Sequence, residues 1–283
     1  VSGRIIPVGE KQPIYVVAEV GINHQGDIKL VEKFFQMAAL HEFDCIKFQK
    51  RNPELWPDTP YFSKTFAREM SYREHRRRLE FGRDEYDRIM ELAFRYNISW
   101  TASVWDTDSV EFMRKYALPF TKIPSPCLTD DELLRAVRDL GWPVVLSTGM
   151  STLEQIDHAV DVLGKEDLIL LHCTSTYPAS NGELNLLCIP ALGKRYGVPV
   201  GYSGHEPGLQ ASYFAGALGA CMVERHITYE RSAPGSDHAA SLGYEGQRRL
   251  VRDLKLIPTC LGDGEKRVYD SEIPVMKKLR RIN

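Results

Sequence analysis

The chain has 283 residues with a formal net charge of −2, 26% of them charged and 43% hydrophobic. That length fits a single α/β barrel with a full core, and the near-neutral balance argues against duplex nucleic acid or an anionic membrane surface as partner. No apolar run approaches the roughly 20 residues of a membrane span, and the opening VSGRIIPVGEKQPIYVV lacks the apolar core and cleavage pattern of a secretory leader.

Apolar, β-branched runs fall at 14–20, 45–49, 98–104, 120–125, 143–148, 168–174, 198–203 and 221–227, and each reads as a strand. Between them lie helical patterns: IKLVEKFFQMAALHEF, DEYDRIMELAFRYN, TDSVEFMRKYA, DELLRAVRDLG, TLEQIDHAVDVLG and LNLLCIPALGKRYG. An Ala-rich segment precedes the last strand and EGQRRLVRDLKLIPTCLG follows it. Eight strand–helix units without a GxGxxG fingerprint predict an α/β protein of the closed (β/α)8 TIM-barrel type over 1–262, in preference to an open doubly wound sheet. The polar tail 263–283 reads as an arm or linker. Ser151 ahead of Thr152-Leu153-Glu154 predicts a capping box, and Thr129 offers an acceptor to the helix beginning near Asp131. Two connections, 50–83 and 228–243, are long and fall on the face where a barrel carries its chemistry. Within the first, the Arg-rich SYREHRRRLEF reads as a solvated face or as a lip that attracts an anion. The six cysteines (45, 127, 173, 188, 221, 260) include no CxxC pair. Several sit in apolar strand patterns, so buried thiols in a reducing, cytoplasmic setting are expected.

The last residues of the strands form a polar set: Glu19, Lys47, Gln49, Ser103, Lys122, Ser125, Ser147, Thr174, Ser175, Ser203, His205, Glu224 and His226. A rim with two lysines, several hydroxyls and two histidines suits a phosphorylated anion together with a divalent cation. Lys47 in CIKFQ and Lys122 in FTKIPS lie on apolar strands, where an ammonium needs an anionic partner. An internal salt bridge with Glu19 or Glu224 is the alternative. His205 and His226 close two neighbouring strands near Glu224 and Asp237, which favours a Lewis-acid metal (Mn, Mg, Fe or Zn) over two merely hydrogen-bonded rings. Glu19 is the general acid/base candidate, because burial at a strand end raises a carboxyl pKa; it also suits a structural acceptor for the amides of GINHQG. His24 lines the site or anchors its loop, His172 is a satisfied core residue, Asp237 suits polyol hydroxyls, and Cys173 has no base to activate it.

The motifs AEVGINHQGD, DCIKFQK, LSTGMSTLEQI, LLHCTSTYP, VPVGYSGHEPG and VERHITYERSAPGSDHAASL, in this order, resemble those of the sialic acid synthase family, which condenses phosphoenolpyruvate with an aldose. The resemblance implies a TIM barrel and Mn2+ or Mg2+. It implies that His205 and His226 hold the metal, and that Lys47, Lys122, Ser125, Ser147 and Ser203 bind phosphoenolpyruvate with Ser175 close by. Glu19 then activates water or stabilises a cationic C2, while Gln49, Tyr177 and Asp237 face the sugar. Two departures concern the acceptor. Cys127 replaces a family glutamate that binds sugar hydroxyls, and the sequence ends near where members continue into an antifreeze-like domain that covers the partner's site in a dimer. The acceptor is therefore expected to differ from N-acetylmannosamine, or the site to be completed in a homodimer or by a separate lid protein. Alternative readings are an ulosonate synthase using a phosphorylated sugar, for which Arg73, Arg76, Arg77 and Arg78 form the basic cluster; a non-catalytic barrel that binds sugar or a partner; and a Schiff-base aldolase built on Lys47 or Lys122.

Overall fold

The computed structural model describes Val8 and residues 12–282; most of the stretch read for a leader, and Asn283, lie outside the described residues. Ten strands form in chain order: β1 (Tyr15–Glu19), β2 (Cys45–Lys50), β3 (Pro60–Ser63), β4 (Arg68–Ser71), β5 (Ser99–Val104), β6 (Thr121–Ile123), β7 (Val144–Ser147), β8 (Leu168–His172), β9 (Val200–Gly204) and β10 (Met222–His226). Eight of them close a parallel barrel in the order β1-β10-β9-β8-β7-β6-β5-β2, which is the predicted (β/α)8 fold. Each expected strand is present; β2 runs one residue longer than expected, and the others are shorter by up to three residues where the chain turns out of the ladder.

Parallel strands covered on both faces must be apolar almost throughout, and the alternation decides what each face meets. Val16, Ala18, Ile46 and Phe48 pack outward in the main core under the helices, whereas Tyr15, Val17, Cys45, Phe120, Val145, Ile169, Leu171 and Met222 form a separate buried cluster. The period of two carries that inner face from Val17 to Glu19, from Cys45 to Lys47 and from Met222 to Glu224. The barrel interior is thus apolar at one end and charged at the other. Register aligns the charged end, pairing Glu19 with both Lys47 and His226, Glu224 with Ser203, and Ser103 with Gln49 and Lys122.

Two helix caps differ from expectation by one residue. Thr152 and Gln155 make the reciprocal capping box of helix Leu153–Leu163, because the Ser151 hydroxyl donates to Gly149 O instead, at 3.2 Å. Asp130, not Thr129, caps Asp131–Arg138, accepting from Leu133 N at 3.0 Å. The 50–83 connection is structured: β3 and β4 pair as an antiparallel hairpin, and helix Tyr72–Leu79 follows. Buried His75 joins the two through the Ser63 hydroxyl at 3.0 Å. From residue 263 to 282 none of the chain is buried, although Ile273–Leu279 is helical. No helix among the described residues is long and apolar enough to cross a membrane. At the barrel's apolar end a cavity of about 470 Å³ is lined by Gln12, Ile14, Val200, Cys221, Ile257 and Leu261.

One buried ion pair fixes the turn that follows β9. Arg225 and Glu206, each 1% exposed, meet at 2.7 Å. The guanidinium also donates to Ser212 Oγ, Gly208 O and Glu206 O at 2.7–3.0 Å. Glu206→Ala leaves that guanidinium buried without its counter-charge. It is expected to lower unfolding free energy by about 3–5 kcal/mol, measured by denaturant melts against the parent protein.

Candidate active site

A cavity of about 250 Å³ opens at the charged end of the barrel, and it gathers residues from eight strands and their following turns. Glu19, Lys47, Gln49 and Lys122 line one part of it; Ser125, Ser147, Ser175 and Ser203 line another; Tyr177, His205 and His226 complete the mouth. Asp237 is outside the lining and stands 3.9 Å from His226 Nδ1. Of the set read from the strand ends, all but Thr174 is therefore brought together, and Trp105 and Met150 join it.

Lys47 has the internal partners that the sequence left as an alternative. Its Nζ lies 3.3 Å from Glu19 and 3.0 Å from Glu224, all three side chains being nearly inaccessible. Burial opposes its charge, but the two carboxylates outweigh burial and hold the ammonium above its usual range. Burial pushes Glu19 up against the pull of Lys47 and His226. Glu224 is also pushed up by burial, yet Lys47 and Lys122 dominate and hold it well below the usual range. Glu19 is thus the more weakly acidic of the two carboxyls, and Gln49 Nε2 donates to it at 2.7 Å.

Lys122 lacks such a carboxylate. Its Nζ donates to Ser147 Oγ at 2.6 Å and to Ile123 O at 3.2 Å, and burial lowers it to about 8. Across from it Gly149 N donates to Ser125 Oγ at 3.1 Å. A Cβ on Gly149 would sit 2.2 Å from Ser175 Oγ, 2.9 Å from Ser125 Oγ and 3.0 Å from Cys173 Sγ. Only a glycine lets these side chains converge. The sequence motif contained Gly149, but nothing in its composition marked it as part of the site. Cys173 Sγ is 3.2 Å from Ser125 Oγ. Three hydroxyls and a partly charged amine can together hold an oxyanion.

The imidazoles come from adjacent strands, their ring centres 5.7 Å apart. His205 Nδ1 faces Thr174 O at 3.1 Å, and burial plus the neighbouring His226 hold this ring at about 3, so it stays neutral and able to ligate. His226 Nδ1 is buried without a hydrogen-bond partner. Gly21, at φ 57°, lets the loop after β1 pass this ring, since a Cβ there would lie 3.1 Å from it. Among the described residues no three His, Cys, Asp or Glu side chains stand ready to enclose an ion. Two imidazoles with Asp237 behind them fit a divalent cation whose remaining positions are left to substrate and water.

The surrounding loops are held by buried amides. Asn23 Nδ2 donates to Ile227 O and Ser241 Oγ, each at 2.9 Å, tying the loop after β1 to the one after β10. His24 is an anchor of that loop: it stacks on Phe81 at 4.1 Å, accepts from Gly26 N at 3.1 Å, and burial lowers it to about 3. His172 is satisfied by Leu184 O at 2.7 Å, as expected of a core residue. Cys127 is buried, its thiol set toward Trp105 O at 3.6 Å, and it does not line the cavity.

The NeuB family model matches residues 34–266. The chain belongs to the NeuB family. It is 35% identical to the N-acetylneuraminate-9-phosphate synthase of Homo sapiens over 280 residues, covering 96% of this chain and 78% of the human protein. It is 32% identical to the N,N'-diacetyllegionaminic acid synthase of Legionella pneumophila, with 98% and 81% covered. The crystal structure of N-acetylneuraminic acid synthetase from Leptospira borgpetersenii in complex with citrate superposes with a TM-score of 0.83 at 31% identity, covering 98% of this chain and 96% of that one. These NeuB relatives are synthases, and this chain is an enzyme of their kind.

The depressed Lys122 gives a pH test with a definite sign. Above pH 8 the empty cavity holds mainly the neutral amine, and a bound anion favours the ammonium. Sulfate binding at pH 9 is therefore expected to take up protons and to weaken as pH rises through about 8. Calorimetry in buffers of different ionisation enthalpy measures this uptake, and Lys122→Met is expected to remove it.

Proposed function

We propose that this enzyme condenses phosphoenolpyruvate with the open-chain form of an aldose, in a divalent-metal-dependent reaction yielding a sialic-acid-like 2-keto-3-deoxy sugar acid and phosphate. The observation that carries this reading is the meeting, at one barrel mouth, of a serine–lysine oxyanion cradle, an exchangeable carboxylate and two imidazoles free to ligate. The names of the relatives, synthases of nonulosonic acids, support it. Residues 1–262 form the catalytic unit, with 263–283 as an arm; a second copy or a separate lid protein completes the acceptor side.

In this mechanism Lys122, Ser125, Ser147, Ser175 and Ser203 hold the phosphate and carboxylate of phosphoenolpyruvate. They fix its C3 against the aldehyde carbon, which supplies the orientation that a bimolecular step needs. The C2=C3 π pair forms the bond to the aldehyde carbon, whose C=O π pair moves to oxygen and takes a proton; water adds at C2, and the C2–O bond to phosphate breaks with phosphate departing. Glu19, raised by burial and steadied by Gln49 and Lys47, takes the proton of the water that adds at C2. Gln49, Tyr177 and Asp237 face the sugar. His205 and His226 would hold Mn2+ or Mg2+, which when bound supplies Lewis acidity toward the aldehyde oxygen.

Charge accounting supports a metal here. Glu19 and Glu224 already engage Lys47, so the donor trianion meets only one further ammonium, and that one is partly deprotonated. Phosphate release is expected to require phosphoenolpyruvate, an aldose and Mn2+ together, to stop with chelator, and to resume with added metal. Glu19→Gln preserves size and is expected to lower kcat by about 100- to 10,000-fold with little change in KM for phosphoenolpyruvate. Absence of release with every aldose, in protein that melts cooperatively, would count against the reading.

A further inference from the structure

The side-chain amide of Gln49 has a partner at each end. Its Nε2 donates to Glu19 Oε1 at 2.7 Å, and its Oε1 accepts from an Nη of Arg51. The two partners constrain the amide unequally. Burial raises Glu19 against the pull of Lys47 and His226, and a carboxyl that keeps its proton can donate to an amide carbonyl as readily as a carboxylate accepts from an amide N–H. Glu19 therefore suits either orientation of Gln49. A guanidinium has five N–H donors and no acceptor, so Arg51 suits only one. With the carbonyl turned to Arg51, the NH2 must face Glu19. Held at Oε1, the carboxylate keeps its other oxygen for a proton: Oε2 is buried with no hydrogen-bond partner, 3.3 Å from the Lys47 ammonium.

Arg51 is built to stay in place. It follows β2 directly and is only 5% exposed. Its backbone N–H donates to Glu80 Oε1 at 3.2 Å, and the next N–H, that of Asn52, donates to Asp106 Oδ2 at 2.7 Å. At the other end, its guanidinium carbon lies 3.8 Å from the ring centre of Trp105. That indole is itself fixed, its Nε1 donating to Ser103 Oγ at 3.1 Å. Burial and the charge of Arg76 lower Arg51 to about 10 against the pull of Glu80, Tyr72 and Asp237, so it remains a cation at neutral pH.

A buried cation costs stability, and here Nε has no hydrogen-bond partner at all. The contact with Trp105 recovers only part of that cost. A neutral side chain of similar length would fill the same space against the indole without it, but would not enforce the direction of the amide. Glu19, Gln49 and Trp105 line the catalytic cavity and Arg51 does not, so any influence of Arg51 on the chemistry passes through its neighbours. We propose that Arg51 is a positioning residue, fixing the Gln49 amide with its N–H on Glu19; this rests on the condensation proposed above, in which Glu19 takes the proton of water.

The test is a double-mutant cycle read by phosphate release with phosphoenolpyruvate, an aldose and Mn2+. Arg51→Met is expected to lower kcat by about 10- to 100-fold with the KM for phosphoenolpyruvate unchanged. Arg51→Lys, which also only donates, is expected to restore most of the loss. In a Gln49→Met background, Arg51→Met is expected to cost nothing further. Unchanged kcat in Arg51→Met overturns the proposal, as does the same loss with and without Gln49, which makes the arginine a structural prop of Trp105. Denaturant melts check that each variant folds, and Arg51→Gln, able to donate or accept, replaces Arg51→Met if that variant does not. A second readout needs no turnover. In protein labelled with 15N-glutamine, the Gln49 NH2 signals, assigned by Gln49→Met, are expected to exchange slowly with solvent and to speed up in Arg51→Met. Equal exchange in the two proteins overturns the proposal. If the parent releases no phosphate with any aldose, the condensation reading fails and the exchange comparison still decides the role of Arg51.

Discussion

The ammonium of Lys47, shared between Glu19 and Glu224 inside a closed cylinder, is the constraint on which the rest of the site depends. Removing three ionised groups from water is tolerated only because they compensate one another. The compensation is unequal: Glu224 is drawn firmly into the ionised state, while Glu19 is left the more weakly acidic of the two. One pair of carboxylates, on the adjacent strands β1 and β10, thereby divides into a firmly ionised counter-ion and a more weakly acidic group. The division comes from position, since Glu224 feels both lysines and Glu19 is opposed mainly by burial.

The fold was legible in the sequence because parallel strands buried on both faces leave near-continuous apolar runs, and each of the eight appeared. So did most of the site: a lysine, glutamate or histidine interrupting such a run is conspicuous, and the closing of the barrel alone brings those interruptions together. What stayed illegible lacks that contrast. Gly149 matters for the side chain it does not have. The hairpin of β3 and β4 was missed because its strands are four residues each and half exposed, without the alternation that marks longer ones. The cap at Thr152 shifted because the Ser151 hydroxyl found a backbone acceptor nearer to hand.

The excursion from 50 to 83 contributes no side chain to the lining of the cavity. The cradle built from β6, β7 and the turn after β8 is small, rigid and made of hydroxyls. The hairpin and helix of the excursion lie outside the barrel ladder. A barrel strand cannot move without breaking two neighbours, whereas this appendage packs on the rim and is tied by few buried groups, among them His75 and Lys50.

The apolar end of the cylinder has a different consequence. Gln12 and Ile14, entering β1, share one cavity with Leu261 and Gly262, which leave the last barrel helix. Entry and exit of the barrel unit lie side by side, a full strand length from the imidazoles. Reconnecting the polypeptide there and opening it elsewhere, or grafting a second module onto either position, would leave the chemistry's architecture undisturbed. The unit is in this sense portable.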